Sequence, residues 1–510
     1  MSESVAAILE RRVRETPDAP FLIDPDGTAL TYAGVAARAR GLAGWLAAQG
    51  IAPGESVAWA MPNGPDSALC LLGILRGGYL ATAINLVAGR DIIAYVLDHS
   101  DARIVFVDAG TEAPIREALA QSESDARVVV IGRDIPCPGP DPGPVRVEKD
   151  PGSGPGQGIA PGGTDGLLMY TSGTTGRPKG VVLTQASLVA GGANPALAHG
   201  LTAGDRALCT LPLYHINGLC VTIMGPLVSG GSVVLPPKFS VKSFWATLRA
   251  RGCTWFSVVP TQISYLLHDE TPFETIPALR FGRSASAPLS PDVQTAFEGR
   301  FGVPIIETMG LTETAAQILS NPLPPGLRKI GSPGTAIGNE VVIADTAQRE
   351  LPRGEEGEVL VRGANVMRLY RKNPQATAEA LTPDGWLRTG DLGRMDAEGY
   401  VTITGRLKEL IIKGGENIAP REVDEALYTH ADVIEAAAFA CPCDRYGQRI
   451  EAGVMLSAGS TATEGALIAL CVERIGPFKA PDRVHVLPEL PKGPSGKIQR
   501  IKLAALVLGG

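Results

Sequence analysis

The chain has 510 residues, of which 45% are apolar and 19% charged, with a net charge of −7. That length predicts about three packing units, and the ordinary globular composition excludes a largely disordered chain or a polyelectrolyte. The mild acidity offers no general attraction for nucleic acid or an anionic membrane, so any polyanionic ligand has to be held locally. In chain order, Val5, Ile8, Leu9 and Val13 repeat on one helical face, and Val35, Leu42 and Leu46 on another closed by Gly50. Ser56 to Ala60 and Arg103 to Val107 are short β-rich runs. Such alternation predicts α/β layers with mainly parallel strands. From Pro136 to Gly163 the composition turns to Pro and Gly with few large apolar residues, which predicts a long surface connection.

Leu167 to Tyr170 reads as a buried strand, and the α/β pattern resumes through Trp255 to Val259 and Val303 to Glu307. Beyond about residue 335 come shorter β-type runs with turn signals, Glu340 to Ala344, Glu358 to Val361 and Tyr400 to Thr404, which predict a separate β-rich lobe. The last hundred or so residues read as a small α+β unit: Leu410 to Lys413, the turn Gly414-Gly415, a helix from about Pro420, strands at Val433 to Phe439 and Ala452 to Leu456, and a helix from Thr463 to Ile475.

The uncharged run from Ala207 to Pro237 is longer than the ~20 residues a bilayer needs. Pro212, His215, Asn217, Gly225, Pro226, Gly230 and Gly231 divide it into pieces ending in a strand at Ser232 to Leu235. It is therefore read as hydrophobic interior, and no integral membrane segment is expected. Eight scattered cysteines show no paired zinc spacing, and Cys441-Pro-Cys443 has no neighbouring His, so a reducing cytoplasm and no cysteine-held metal are expected. Glu3, Glu10 and Glu15 interrupt the first twenty residues, where no secretory leader is expected. The final Leu-Gly-Gly is no peroxisomal address.

The strongest local signal follows the strand at Leu167: Thr171-Ser172-Gly173-Thr174-Thr175-Gly176-Arg177-Pro178-Lys179-Gly180. Hydroxyls, two cations and glycines that let backbone N–H groups approach an anion make a phosphate-wrapping loop. It lacks the closing Gly-Lys-Ser/Thr of a Walker A loop, so P-loop chemistry does not follow. Further motifs come in order: Pro212-Leu213-Tyr214-His215, Gly310-Leu311-Thr312-Glu313, Gly385-Trp386 with Thr389-Gly390-Asp391, Gly405-Arg406-Leu407-Lys408-Glu409, and Pro494-Ser495-Gly496-Lys497. Together they resemble, over essentially the whole chain, the AMP-forming adenylating superfamily of acyl-CoA synthetases, luciferases and adenylation domains.

The resemblance implies a large multi-lobed domain at 1–405 and a mobile lid at 406–510 that pivots at Lys408. It implies an ATP-dependent acid:CoA ligase with ATP, Mg²⁺ and CoA, acting on a small or medium carboxylic acid as a monomer or homodimer. Thr171, Ser172, Gly173, Thr174, Thr175 and Lys179 fall at the positions for the β- and γ-phosphates, Glu313 at that for Mg²⁺, and Thr312 at that for the α-phosphate. Ser286, Ala287, Pro288, Met309 and Gly310 fall at adenine-side positions, and Asp391 and Arg406 at the ribose. Lys497 is implied to reach the reacting carboxylate and counts, with Thr312 and His215, as catalytic. Gly414 and Gly415 are implied to line the pantetheine channel, where the simpler reading of Gly415 is a tight turn.

His215, Asn217, Ser284 and Ala316 fall in the acyl pocket. Arg283 to Leu289, Ser320 to Pro324, Phe244-Trp245 and Thr254-Trp255 resemble the oxalate-CoA ligase branch, which commonly has histidines where Asn217 and Ala316 stand. A second buried charge on the substrate then lacks two compensating donors, which predicts that oxalate is a poor substrate. Arg283 either faces the pocket and restores that charge or lies outside in a surface ion pair. Competing readings are a stand-alone enzyme loading a carrier-protein phosphopantetheine, with free CoA favoured because no carrier domain follows Gly510, an oxalate-CoA ligase, and a binding relative that has lost turnover.

Overall fold

The computed structural model describes residues 3–132, 162–171, 177–493 and 498–508. Most of the expected connection from Pro136 to Gly163, together with Ser172, Gly173, Thr174, Thr175 and Lys497, lies outside the described residues.

Two large sheets dominate. One runs in the spatial order Leu369–Tyr370, Lys179–Thr184, Asp165–Thr171, Leu80–Ala83, Ser56–Ala60, Ala102–Val107, Arg127–Val130. Its last five strands are parallel, and the pairings at the other edge are antiparallel. In Ser56–Ala60 all five residues are buried. Val57 and Trp59 point into one core and Ala58 and Ala60 into another, as a parallel strand covered on both faces requires.

The second sheet has nine strands, parallel from Ile305–Leu311 through Phe281–Ser284, Trp255–Val258, Arg206–Cys209 and Ser232–Val234 to Pro20–Ile23. Side chains from both sheets meet in one core around the helices Val5–Glu15, Tyr32–Ala48, Pro65–Arg76 and Gln185–Ala198. The second sheet's opposite face carries its own aromatic cluster, in which Trp245 packs edge-on against Phe244 and Phe256. A four-stranded antiparallel sheet, Glu340–Ala344 to Val401–Arg406, forms the expected β-rich lobe. The small C-terminal sheet packs against the helices Pro420–Tyr428 and Glu464–Lys479.

Two expectations change. The uncharged run is less broken than Gly225 and Pro226 suggest, because the π-helix Asn217–Met224 continues directly into Gly225–Ser229. Pro226 sits where the helix passes from π to α, at the second residue of Gly225–Ser229. The strand expected at Val303 to Glu307 spans Ile305–Leu311 instead, so Met309 and Gly310 are strand residues in a hairpin with Ala316–Ser320. Side-chain packing across that hairpin outweighs the local glycine signal.

The second sheet's parallel strands end along one rim, and the segments leaving it are those that carry motifs: 210–217, 259–261, 285–290 and 312–316. A ligand crevice is expected at such carboxyl ends.

Candidate active site

Thr171 and Lys179, which flank the expected phosphate loop, face each other in the hairpin Asp165–Thr171/Lys179–Thr184. The Lys179 ammonium lies 4.8 Å from the centre of the Tyr370 ring. Tyr370 is carried there by its own pairing with Val181, and its hydroxyl donates to Glu313 Oε1 at 2.7 Å. Burial, then the Glu313 carboxylate, pushes the Tyr370 hydroxyl pKa well up, so it stays a donor. Glu313 lies in the short 3₁₀ turn Thr312–Thr314, and its backbone carbonyl accepts from Met367 N at 2.7 Å. Thr312 is half-buried beside it. Tyr370 was not identified from sequence: nothing local marks it, and only the strand pairing brings it between Lys179 and Glu313.

No group of three or more His, Cys, Asp or Glu among the described residues forms a metal cage. Glu313 alone fits a Mg²⁺ that takes one or two protein carboxylates and completes its shell with phosphate oxygens and water.

Asp391 and Arg406, the residues expected at the ribose, are partners in the register of Leu387–Met395 and Val401–Arg406. Arg406 Nε donates to Asp391 Oδ1 at 2.5 Å, and Asp391 is 6% exposed. Burial alone would lower the Arg406 pKa, but Asp391, Glu409 and Glu313 outweigh it and hold the guanidinium charged.

The adenine-side segment Ser286-Ala287-Pro288 leaves the strand Phe281–Ser284. Ser286, Ala315 and Ala316 all have left-handed backbones, at φ 74°, 47° and 84°. Such strain in residues other than glycine gathers at functional sites, and no sequence signal announces it. Gly310 is required for a different reason: a Cβ there would lie 1.8 Å from the Ala316 carbonyl oxygen.

The acyl-pocket candidates adjoin this segment. Asn217 opens the π-helix, a form that recurs at functional sites, and its amide donates to Ser286 Oγ at 3.3 Å. Asn217 Oδ1 accepts from Arg283 Nη1 at 2.6 Å and from Ser257 Oγ at 3.3 Å. Ser284 is buried, its Oγ without a partner among the described residues, and Ala316 is 4% exposed. His215 is half-buried, its ring centre 5.0 Å from that of Tyr214. Arg283 is 1% exposed and burial pushes its pKa down to about 9. Of the two placements expected for Arg283, the surface ion pair is excluded, and its guanidinium is bonded instead to the acyl-pocket candidate Asn217.

The C-terminal unit closes over the same rim. Ile498, the residue after Lys497, shares a cavity of about 100 Å³ with Ser286, Ala287, Arg421 and Arg500. Lys408 is exposed in the turn between Val401–Arg406 and Ile411–Lys413. Gly414 and Gly415, at φ 59° and 88°, form the hairpin turn Ile411–Lys413/Glu416–Ile418, where both residues need positive φ. No helix among the described residues is long and apolar enough to cross a membrane.

The chain matches the family models described as AMP-binding enzyme over residues 9–371 and AMP-binding enzyme C-terminal domain over residues 422–497. It is 48% identical to a sulfoacetate–CoA ligase of Cupriavidus necator, covering 98% of this chain and 97% of that one. It is 35% identical to an oxalate–CoA ligase of Arabidopsis thaliana, covering 98% of each. Among solved structures, ATP-bound MatB from Rhodopseudomonas palustris superposes with a TM-score of 0.85 at 28% identity over 99% of this chain and 100% of that one. The chain belongs to the AMP-binding enzyme family, among its acid–CoA ligases.

Proposed function

We propose that this ligase activates a short carboxylic acid through an acyl-adenylate and passes it to CoA. In the first step a carboxylate oxygen attacks the α-phosphorus of ATP, the bond to the bridging oxygen breaks, and pyrophosphate leaves. In the second the CoA sulfur, having lost its proton, attacks the acyl carbon and AMP departs. Both steps gather negative charge on phosphoryl oxygens, so the protein's part is positioning and fixed charge.

Thr171, Lys179 and residues 172–175 would cradle the β- and γ-phosphates, Thr312 would bond the α-phosphate, and Asp391 would accept from the ribose hydroxyls. Glu313 would hold Mg²⁺, which neutralises charge across the phosphates. Lys497 would approach the reacting carboxylate while the lid, residues 406–510, is docked; turning about Lys408 would then bring the Gly414–Gly415 hairpin to the thiol's path. The observation that carries this reading is the contact chain Lys179–Tyr370–Glu313, which ties the phosphate-loop hairpin of the first sheet to the motif segment 312–316 at the rim of the second. The position of Ile498 beside Ser286 supports a lid docked for the first step. So does the likeness to ATP-bound MatB, with a TM-score of 0.85 against 0.75 for apo MatB.

The relative that acts on sulfoacetate makes that acid the first candidate. A pyrophosphate-release screen across sulfoacetate, oxalate, malonate, propionate, hexanoate and a cinnamate, with and without CoA, tests the reading. Acid-dependent pyrophosphate release, and AMP release that requires CoA, are expected. Release with no acid of the set would refute it.

A further inference from the structure

Among the described residues, no carboxylate pairs with the buried guanidinium of Arg283. Arg283 sits in a central parallel strand, 1% exposed, with neighbours Ile305–Leu311 on one side and Trp255–Val258 on the other. Its Nε donates to Gln317 Oε1 at 3.2 Å, and its Nη1 donates to Asn217 Oδ1 at 2.6 Å and Ser257 Oγ at 3.1 Å. All three acceptors are neutral, and no carboxylate among the described residues raises its pKa against the burial that lowers it. Taking a guanidinium out of water is costly, and a buried one is normally matched by a carboxylate. Amide and hydroxyl oxygens offset only part of that cost.

The surroundings show where an anion can come from. Asn217 receives the shortest bond from Arg283 and donates to Ser286, which is exposed in the adenine-side segment. One side chain therefore separates the guanidinium from the adenylate site, a span of a few atoms. His199, wholly buried nearby, is pushed down to about 3 by burial and then by the Arg283 charge. It stays neutral and contributes no second cation. Gln317 is anchored by the same hairpin that holds Ala316 and Gly310, which ties the guanidinium to the motif segment.

We propose that Arg283, oriented by Asn217 and Gln317, is the socket for a second, non-reacting anionic group of the acid, so that the enzyme selects short acids bearing a sulfonate or carboxylate close to the carboxyl group that is adenylated. This rests on the ligase reading above and names the feature of the acid that the site recognises. A carboxylate or sulfonate in the socket receives charge-assisted hydrogen bonds from a donor already desolvated and fixed in place. A neutral tail of the same shape leaves that donor unmatched.

The test compares kcat/KM for pyrophosphate release within two pairs: sulfoacetate with methylsulfonylacetate, and malonate with its monomethyl ester. Each pair differs by one charge, the sulfone replacing an oxygen by a methyl group and the ester adding one methyl group, and the two arms separate sulfonate from carboxylate recognition. The unmodified enzyme should prefer the charged member of at least one pair by roughly a hundredfold or more. Arg283→Gln should shrink that preference to about tenfold or less, and Arg283→Lys should restore part of it. Thermal melting of each variant checks folding, and the comparison in the unmodified enzyme stands even if neither variant folds. Equal efficiency within both pairs would overturn the socket while leaving the ligase reading intact, as would a preference that Arg283→Gln leaves unchanged. No pyrophosphate release from any acid would overturn both.

Discussion

Tyr265→Phe tests the lid directly, because it removes one hydroxyl that crosses between the large domain and the C-terminal unit. Tyr265 lies on the helix Pro260–His268, and its hydroxyl donates to Glu435 Oε1 at 2.9 Å. Glu435 is 0% exposed, and its other oxygen lies 2.8 Å from Lys492 Nζ. Lys492 forms an isolated bridge with Ile498, so this triad grips the base of the loop that contains Lys497. A hydrogen bond to a charged group contributes about 1.5–3 kcal/mol, and the substitution is otherwise isosteric. The docked-to-swung equilibrium should therefore fall by roughly 10- to 100-fold. Either half-reaction alone can hide such a change if one lid position predominates. The ratio of the two rates cannot, because one is proportional to the docked fraction and the other to the swung fraction. The assay measures pyrophosphate release from acid and ATP, then AMP release from the synthetic acyl-adenylate with CoA, for both proteins. The quotient of the first rate over the second should drop by about tenfold or more. A quotient changed by less than about twofold, with the fold intact, would show that the Tyr265–Glu435 contact does not govern the lid.

Three further outcomes are expected. Lys497→Ala should slow pyrophosphate release by a hundredfold or more, about 3 kcal/mol of barrier, while sparing conversion of supplied adenylate; equal losses in both half-reactions would contradict the alternating lid. Gly415→Leu should leave adenylation working and block thioester formation. No atom lies within 4 Å of a Cβ built there, so acyl-CoA formation at the parent rate would reduce Gly415 to a turn residue. Glu307, which accepts from Leu289 N beneath the adenine-side segment, is raised by burial from 4.5 to about 7. Between those values the folded protein holds a proton that the unfolded chain has released, so stability is full below pH 4.5 and falls by about 3 kcal/mol as pH rises through 7. Glu307→Gln should flatten that fall in urea titrations at pH 5 and pH 8, and an unchanged slope would argue against it.

Local patterns made much of the chain legible. Ser56 to Ala60 is a strand over the expected residues, and the helix expected from about Pro420 begins there. Periodicity and punctuation act within a few residues, and the motifs lie in runs that such signals delimit. Properties set by distant pairing were hidden. Tyr370 joins Lys179 to Glu313 because Leu369–Tyr370 pairs with Lys179–Thr184, a contact with no signature of its own. Arg283 between Gly282 and Ser284 fits a pocket and a surface equally well in sequence; only two flanking parallel strands decide for burial. Counting imidazoles at Asn217 and Ala316 says nothing of Arg283, whose bond to Asn217 is set by a third element.

The hairpin Ile305–Leu311/Ala316–Ser320 explains how one scaffold can keep its adenylating chemistry while its acid changes. Gly310 lies opposite Gln317, and no side chain is possible there because the Ala316 carbonyl passes so close. That close approach fixes the 3₁₀ turn that presents Thr312 and Glu313, and it also fixes Gln317, which holds Arg283 Nε. The Ala316 side chain can therefore vary while its backbone is held by the same contacts. Thr314 Oγ1 donates to the Ala316 carbonyl, and Asn365 Nδ2 donates to that of Thr314, so the turn is braced from outside the acyl pocket. If residues 316 and 217 line the acyl pocket as proposed, a substitution at either would alter what the acid meets without loosening the support of Glu313. Replacing Arg283 is different in kind, since it strips Asn217 Oδ1, Ser257 Oγ and Gln317 Oε1 of a shared donor at once. If Arg283 is the socket proposed above, selectivity for a charged acid lies in the sheet, and selectivity among acids of that charge in the segments at its rim.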